Sequence, residues 1–168
     1  MRYVALLRGV FPVNAPNTKL VALFNGLAFS DIQTIGSSGN VLFTTNETNI
    51  MELEKKIEQA LYDLLGTNAV AIVRSAEQIK SLVESVPFGE HKHTSATYLA
   101  VTFFKHKPVD TTSDTNAIYY EQSANALCTV NDSTAKPHFM TRLEREYGRD
   151  NTTRTWNVVL KIVAKLSM

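Results

Sequence analysis

The pattern of apolar and polar residues in the first half of the chain predicts seven elements. A continuous apolar run, Tyr3–Leu7, ends at Arg8 and Gly9, and it indicates a strand that is buried on both faces. The elements that follow it are predicted as a helix that Asn17 or Thr18 caps and whose apolar residues include Leu20 and Leu27, strands at Ile32–Gly36 and Val41–Thr45, a helix at 50–65, a strand at Ala69–Arg74 and a helix at 76–86. The order β-α-β-β-α-β, followed by a further helix, is typical of a ferredoxin-like unit.

Polar residues mark the ends of these elements. The sequence at 37–40 has the composition of a hairpin turn, with Gly39 at its centre. Asn49 with Glu52, and Ser75 with Gln78, have the spacing of capping boxes. These signals place the helix starts directly after the turns.

The second half repeats this order with one element weakened. Its strands are predicted at Thr97–Phe104, Ala117–Gln122, Ala126–Val130 and Asn151–Thr155, and its helices run from Pro137 to Gly148 and from Trp156 to Leu166. The segment Lys105–Asp114 stands where the first half has its opening helix, but it has no apolar helical face. We therefore expect an α+β chain of two tandem ferredoxin-like halves, 1–88 and 89–168, with antiparallel sheets, extra helices and a joint near Pro87–Ser95.

Composition narrows the class of protein. Of the 168 residues, 44% are apolar and 20% are charged, which is typical of a globular protein. A net charge of +1 argues against a protein whose whole surface binds nucleic acid. The single cysteine, Cys128, and the lack of a long apolar run predict a cytoplasmic protein without a membrane segment, with that thiol buried and inert.

Three segments resemble an uncharacterised bacterial family, the domain-of-unknown-function family 1697. Tyr3–Val10 is similar to the family's opening Tyr-x-Ala-Leu-Leu-Arg-Gly, Ser38–Val41 matches its Ser-Gly-Asn-Val hairpin, and Thr152–Val159 resembles its Thr-Thr-Arg-Asn-Trp-Asn-Thr-Val. The resemblance implies a fold, a bacterial origin and a cytoplasmic setting, and it implies no activity. The family's Gly-Gly pair after the first strand is replaced here by Phe11–Pro16, so the resemblance implies no glycine-rich loop in this chain.

The segments that resemble the family supply the candidate ligand site. Arginine beside a flexible turn, and helix N–H groups beside another arginine, are suited to binding an anion. The candidate ligand-binding residues are Arg8, Gly9, Ser38, Asn40, Arg154 and Asn157. Each has a plainer structural alternative, since strand exits, turns and threonine caps use the same residue types.

Two other features carry weaker signals. Between Lys136 and Met168, basic residues outnumber acidic ones by 7 to 3, which fits phosphate binding or an ordinary solvated helix face. His91 and His93 beside Glu90 lack further ligands nearby in sequence, so we expect no metal and no cofactor. No nucleophile with a base is identifiable, and whether the protein is an enzyme stays open.

Three functions are compatible with this sequence. The first is a cytoplasmic binding protein for an anionic ligand, such as a nucleotide, a phosphate compound or a nucleic acid; it requires Arg8, Asn40 and Arg154 to converge. The second is a small-molecule enzyme that uses a cleft between the halves. The third is an interaction or scaffold module that forms a homodimer through a sheet edge. We favour the first.

Overall fold

The computed structural model describes the chain except for residues 38, 109–115, 134–135 and 167–168, and for residues 136–140 it describes the backbone alone. It contains two antiparallel four-stranded sheets and five helices within these described residues. The elements in chain order are β1 (Arg2–Arg8), α1 (Asn17–Gly26), β2 (Ser30–Thr34), β3 (Asn40–Thr44), α2 (Ile50–Leu65), β4 (Val70–Ser75), α3 (Ala76–Glu84), β5 (Thr97–Phe104), β6 (Ala117–Glu121), β7 (Ala126–Asp132), α4 (Lys136–Tyr147), β8 (Asn151–Thr155) and α5 (Trp156–Leu166). The prediction of a mixed α+β chain is confirmed.

The chain divides into two compact units. The first unit comprises Met1–Glu77 together with Lys161–Met168, and the second comprises Gln78–Leu160. The ends of the chain therefore both belong to the first unit, and the second unit is a continuous stretch of sequence between them.

The first unit is built on a sheet with the strand order β2-β3-β1-β4. β1 lies inside this sheet and pairs antiparallel with both β3 and β4. Its five central residues are buried, because side chains on both of its faces are covered, as the apolar run predicted. β2 lies at the edge and its pairing with β3 shifts register between Ser30 and Gln33.

The core of the first unit lies between one face of this sheet and the helices α1 and α2. Aromatic rings form its centre: Phe43 stacks on Tyr3 at 5.7 Å and on Phe29 at 4.6 Å between ring centroids, and Phe24 meets Phe43 edge-on at 5.5 Å. Ile57 and other apolar residues of α2 are fully buried against them. Such ring pairs add roughly 0.5–1.5 kcal/mol each beyond the burial of their area, so this cluster fixes how the helices sit on the sheet.

The second unit is built on a sheet with the strand order β6-β7-β5-β8. β5 lies inside it, and the edge strand β6 again shifts register against β7, between Ala117 and Tyr119. Leu143 of α4 packs against Ala100 of β5. The sheet therefore carries a helix on one face, as the first sheet does.

The predicted elements agree with the described ones in type and order, with ends displaced by one or two residues. β8 is found where the edge strand Asn151–Thr155 was predicted. β2 begins two residues before its predicted start because the register shift brings Ser30 into the ladder. Residues 105–108 contain no helix, and 109–115 lie outside the described residues, so the weakened element is described only in part.

Candidate functional site

Three loops of the first unit meet at the carboxyl end of β1. They are residues 9–16 after β1, 35–39 between β2 and β3, and 66–69 between α2 and β4, and we call them the loop end. The Leu7 amide donates to the Gly39 carbonyl at 2.8 Å, and the Asn17 side-chain amide donates to the Gly36 carbonyl at 3.0 Å. The position for a Cβ on Gly9 lies 3.6 Å from the Ala69 Cα. The loop end is therefore one continuous surface.

The backbone at the turn requires glycine. Gly39 has a φ of +67°, which L side chains rarely adopt, and a Cβ there would lie 2.9 Å from the Leu7 Cβ. Because Leu7 is a buried strand residue, it cannot move aside cheaply. This close approach explains why a glycine follows Ser38, which itself lies outside the described residues.

Asn40 holds the turn closed. It is only 1% exposed, and its side-chain amide donates to the Ile35 carbonyl at 2.9 Å. The Ile35 amide in turn donates to the Asn40 carbonyl at 2.9 Å. Asn40 thus serves the loop end by fixing its shape.

Asn14 holds the loop after β1 in place. Its side chain accepts a hydrogen bond from the Phe11 amide at 2.7 Å and donates to the Gly9 carbonyl at 3.0 Å. Ala15 is buried beneath the loop, whereas Phe11 is 61% and Val13 is 97% exposed. The loop that replaces the family's Gly-Gly pair is therefore an ordered turn with an exposed aromatic ring.

The charge of the loop end has one sign. The stretches 8–19, 34–40 and 65–70 contain Arg8 and Lys19 and no Asp or Glu. α1 begins here at Asn17 and has no acidic residue in its first turn. The prediction that Asn17 or Thr18 caps this helix is wrong: Pro16 holds the cap position, and it provides no side-chain cap. The amino end of a helix carries a positive partial charge and unsatisfied N–H groups, so it adds to the positive charge of Arg8.

Arg154 and Asn157 belong to the second unit. Arg154 is 7% exposed and donates to the Thr152 Oγ1 at 2.7 Å and the Thr153 carbonyl at 2.9 Å. Burial lowers the pKa of its guanidinium to about 10, while the nearby Tyr98 acts in the opposite direction. Asn157 is exposed on α5. The guanidinium of Arg154 thus donates hydrogen bonds to residues of its own strand, β8.

A threonine caps the last helix, α5. The Thr155 Oγ1 accepts from the Val158 amide at 3.3 Å, which is the capping arrangement that the sequence offered as the plainer alternative. Trp156 meets Phe88 edge-on at 5.0 Å between ring centroids. The segment similar to the family's carboxyl-terminal motif therefore caps α5 and packs against Phe88 in the second unit.

The remaining candidates are also placed. Arg149 pairs with Glu144, and Arg145 lies 3.8 Å from Glu146, so two basic residues of this stretch have acidic partners on α4. Among the described residues, no group of three or more His, Cys, Asp or Glu could hold a metal ion. Cys128 is buried, as predicted, and burial raises the pKa of its thiol to about 12.

The sequence analysis missed a buried ion pair, Arg74 with Glu54. Arg74, 5% exposed, donates to the Val73 carbonyl at 2.7 Å and lies 3.7 Å from the Glu54 carboxylate. Arg74-Ser75 and Arg154-Thr155 each end a strand directly before a helix, and each arginine binds the carbonyl of the residue before it. This shared pattern, an arginine one residue before the end of a strand that leads into a helix, could have indicated Arg74 from the sequence.

Comparison with known proteins gives a fold and a family. A solved structure titled as a conserved bacterial protein from Streptococcus pneumoniae is similar over 98% of both chains, with a TM-score of 0.70 and 16% identity. Comparison with curated proteins finds none that matches. No helix among the described residues is both long and apolar enough to cross a membrane. The segments Tyr3–Val10 and Ser38–Val41 fall within residues 1–136, which a family model described as a protein of unknown function (DUF1697) matches, and Thr152–Val159 falls outside them. The chain therefore belongs to that family, as its resemblance to the family indicated.

Proposed function

We propose that this protein is a cytoplasmic binding protein for a small phosphate-bearing anion, and that the loop end of the first unit is its site. The observation that carries the proposal is the charge of the three loops and the residues that flank them: the stretches 8–19, 34–40 and 65–70 contain Arg8 and Lys19 and no acidic residue. Arg8 and the first amides of α1 are the groups that contact the anion in this proposal. Gly9 and Asn40 shape the backbone around it, and the candidate Ser38 lies outside the described residues.

The shape of the loop end supports binding as well as its charge. The side-chain hydrogen bonds of Asn14 close the loop after β1 on itself, and that of Asn40 ties Ile35 to β3. Groups held in this way lose little conformational freedom when a ligand arrives. The exposed Phe11 ring beside them offers a flat apolar surface to the organic part of such a ligand.

We further propose that the chain is a duplication of a ferredoxin-like unit, with its halves at 1–88 and 89–168. The two sheets have the same strand order, with the first strand of each half inside the sheet and the second at its edge. Both edge strands β2 and β6 shift register, and Arg74 and Arg154 occupy matching positions. The proposed halves differ in their bounds from the two compact units because they are defined differently. The halves follow the order of helices and strands along the chain, whereas the units follow the contacts between residues.

Nuclear magnetic resonance titration with pyrophosphate and adenosine monophosphate tests the site. We expect saturable shifts in the amides of Gly9, Asn17 and Thr18, which weaken as sodium chloride is raised. Arg8→Gln removes one charge-assisted contact, and we expect the affinity to fall by about tenfold or more. Lys19→Gln, at an exposed helix position, serves as a second variant if Arg8→Gln unfolds.

The matched control is Lys80→Gln, which removes one charge from an exposed ion pair with Glu84 on α3. It leaves the affinity unchanged if the loop end is the site. Equal weakening by Arg8→Gln and Lys80→Gln, or shifts confined to other residues, would overturn the proposal. A short single-stranded RNA is titrated in parallel, and binding of RNA alone would replace the small anion as the ligand.

A further inference from the structure

A cleft lies beside α2 in the first unit, away from the loop end. Its volume is about 620 Å³, and it opens between α2 and the residues that join α1 to β2. Its apolar lining, which we call the floor, consists of Leu27, Ala28, Phe29, Leu53 and Ala60. The other lining residues are polar or charged: Thr45, Glu47, Glu52, Lys55, Lys56, Gln59 and Asp63. A cleft of a few hundred Å³ that combines apolar side chains with charged groups is suited to a small molecule that is both apolar and charged.

Lys56 is held at one side of this cleft. Its ammonium donates to the Leu27 carbonyl at 3.0 Å and lies 5.2 Å from the centre of the Phe29 ring. A lysine four residues after a glutamate on a helix commonly pairs with it, so Lys56 would be expected to pair with Glu52. Because Lys56 instead donates to the Leu27 carbonyl, it does not pair with the Glu52 carboxylate.

Glu52 does not complete the cap of its own helix. The sequence predicts a capping box in which Glu52 accepts from the Asn49 amide, but Glu47 takes that place, with its Oε1 2.7 Å from the Asn49 nitrogen. Asn49 does cap the helix, since its Oδ1 accepts from the Met51 amide at 3.1 Å and the Glu52 amide at 3.4 Å. The Glu52 carboxylate, which lines the cleft, has no hydrogen-bond or ion-pair partner within the described part of the chain.

Lys55 supplies the opposite charge. It is exposed, it lines the cleft, and its ammonium likewise has no partner among the described side chains. Residues three apart on a helix have Cβ atoms about 5–6 Å apart. An unpaired carboxylate and an unpaired ammonium therefore stand side by side above an apolar floor.

The geometry points to a site for a free α-amino acid with an apolar side chain. In this inference the ligand's ammonium faces Glu52, its carboxylate faces Lys55, and its side chain lies over Phe29 and Leu53. The two ligand charges are carried on one carbon, and Glu52 and Lys55 are three residues apart on α2, so both lie within reach of one such ligand. This site shares no residue with the loop end and stands independently of the proposed function.

Titration with phenylalanine, followed by the amide signals of Ala28, Phe29 and Ala60, tests this inference. N-acetylphenylalanine lacks the ammonium and phenylalaninamide lacks the carboxylate, so each removes one of the two charge contacts. We expect saturable shifts with phenylalanine below about 10 mM, and binding at least about fivefold weaker for each derivative. Equal binding of all three compounds, or no saturable shift, would refute the site.

Two variants assign each charge contact to its residue. Glu52→Gln should weaken phenylalanine at least about fivefold, and in this variant N-acetylation should cause little further loss because the ammonium has already lost its partner. Lys55→Gln should weaken phenylalanine to a similar extent, and in this variant amidation of the ligand should cause little further loss. If N-acetylation weakens binding to Glu52→Gln as much as it weakens binding to the wild type, and amidation does the same for Lys55→Gln, the assignment is wrong.

The control for these variants is Glu84→Gln on α3, which is exposed and lies outside the cleft. It should bind phenylalanine as the wild type does, and weakening to the same extent as Glu52→Gln would mean that the effect is one of overall charge. Neither Glu52 nor Lys55 has a side-chain partner within the described chain, so both cleft variants should fold.

Discussion

At the residue scale, Ala28 has a backbone conformation that alanine rarely adopts. Its φ is +61°, and it follows the last turn of α1. The Ala28 amide donates to the Asn25 carbonyl at 3.0 Å and the Phe29 amide to the Phe24 carbonyl at 3.4 Å, which closes the helix. Glycine usually occupies such a position because it has no Cβ to clash with the backbone. Ala28 therefore stores strain beside the α2 cleft.

Replacing this alanine should stabilise the protein. We expect Ala28→Gly to raise the free energy of unfolding by about 1 kcal/mol. The left-handed conformation costs an L residue roughly 1–2 kcal/mol, and the greater conformational entropy of glycine in the unfolded chain offsets part of the strain that is relieved. Gly66, at the end of α2, is the matched position, with a φ of +68° and no atom within 4 Å of where a Cβ would lie. Gly66→Ala should lower the free energy of unfolding by about 1 kcal/mol. Urea denaturation measures both, and a loss of stability in Ala28→Gly would contradict the strain.

At the scale of elements, α2 closes the outer edge of β4. The Val73 amide donates to the Glu54 carboxylate at 2.9 Å, and the Ala71 amide donates to the Glu58 carboxylate at 3.0 Å. β4 ends the strand order of its sheet, so these amides have no neighbouring strand in that sheet. Side chains that cover an edge in this way prevent other strands from adding to it.

The two carboxylates should differ in their contribution to stability. Glu54 is buried with Arg74, so Glu54→Ala leaves a buried cation without its carboxylate, and we expect a loss of about 3 kcal/mol. Glu58 is half-buried, and Glu58→Ala should cost about 1 kcal/mol. Urea denaturation of both variants gives the comparison. Equal losses would show that the Arg74 pair adds nothing beyond the hydrogen bond to the strand.

Local patterns predicted these elements well, and tertiary contacts were harder to predict. Tyr3–Leu7 reads as a doubly buried strand from its unbroken apolar run, and Asn49 was correctly placed as a cap. Glu47 replaces Glu52 in that cap because of the turn before α2, which periodicity does not specify. The positions of Arg8 and Gly9 at a strand end followed from sequence alone. The α2 cleft did not, since it depends on how two segments pack.

At the scale of the whole molecule, one thiol reports on folding. Cys128 is the single cysteine of the sequence and is buried in β7. Burial, with a smaller effect of Glu121, raises the pKa of its thiol from 9.0 to about 12. A thiol must ionise and reach solvent to react, so Cys128 should be inert in the folded chain.

Alkylation with iodoacetamide at pH 8 should therefore be at least about tenfold slower in the folded protein than in urea. Because the pKa is raised on folding, the contribution of Cys128 to stability is complete below pH 9 and is lost as the pH rises towards about 12. The difference in the free energy of unfolding between wild type and Cys128→Ala, measured across this range, isolates the effect. A difference that stays constant with pH, or rapid labelling of the folded chain, would show that the thiol is accessible.

The side-chain hydrogen bonds of Asn14 have a kinetic consequence. In the anion binding that we propose, a loop that already has its final shape need not rearrange when the ligand arrives, so we expect no slow conformational step before association. The speed of association then depends on diffusion and on the attraction between opposite charges, and it should increase as ionic strength falls. Affinity would be adjusted through the lifetime of the complex, which the contacts of the bound state determine.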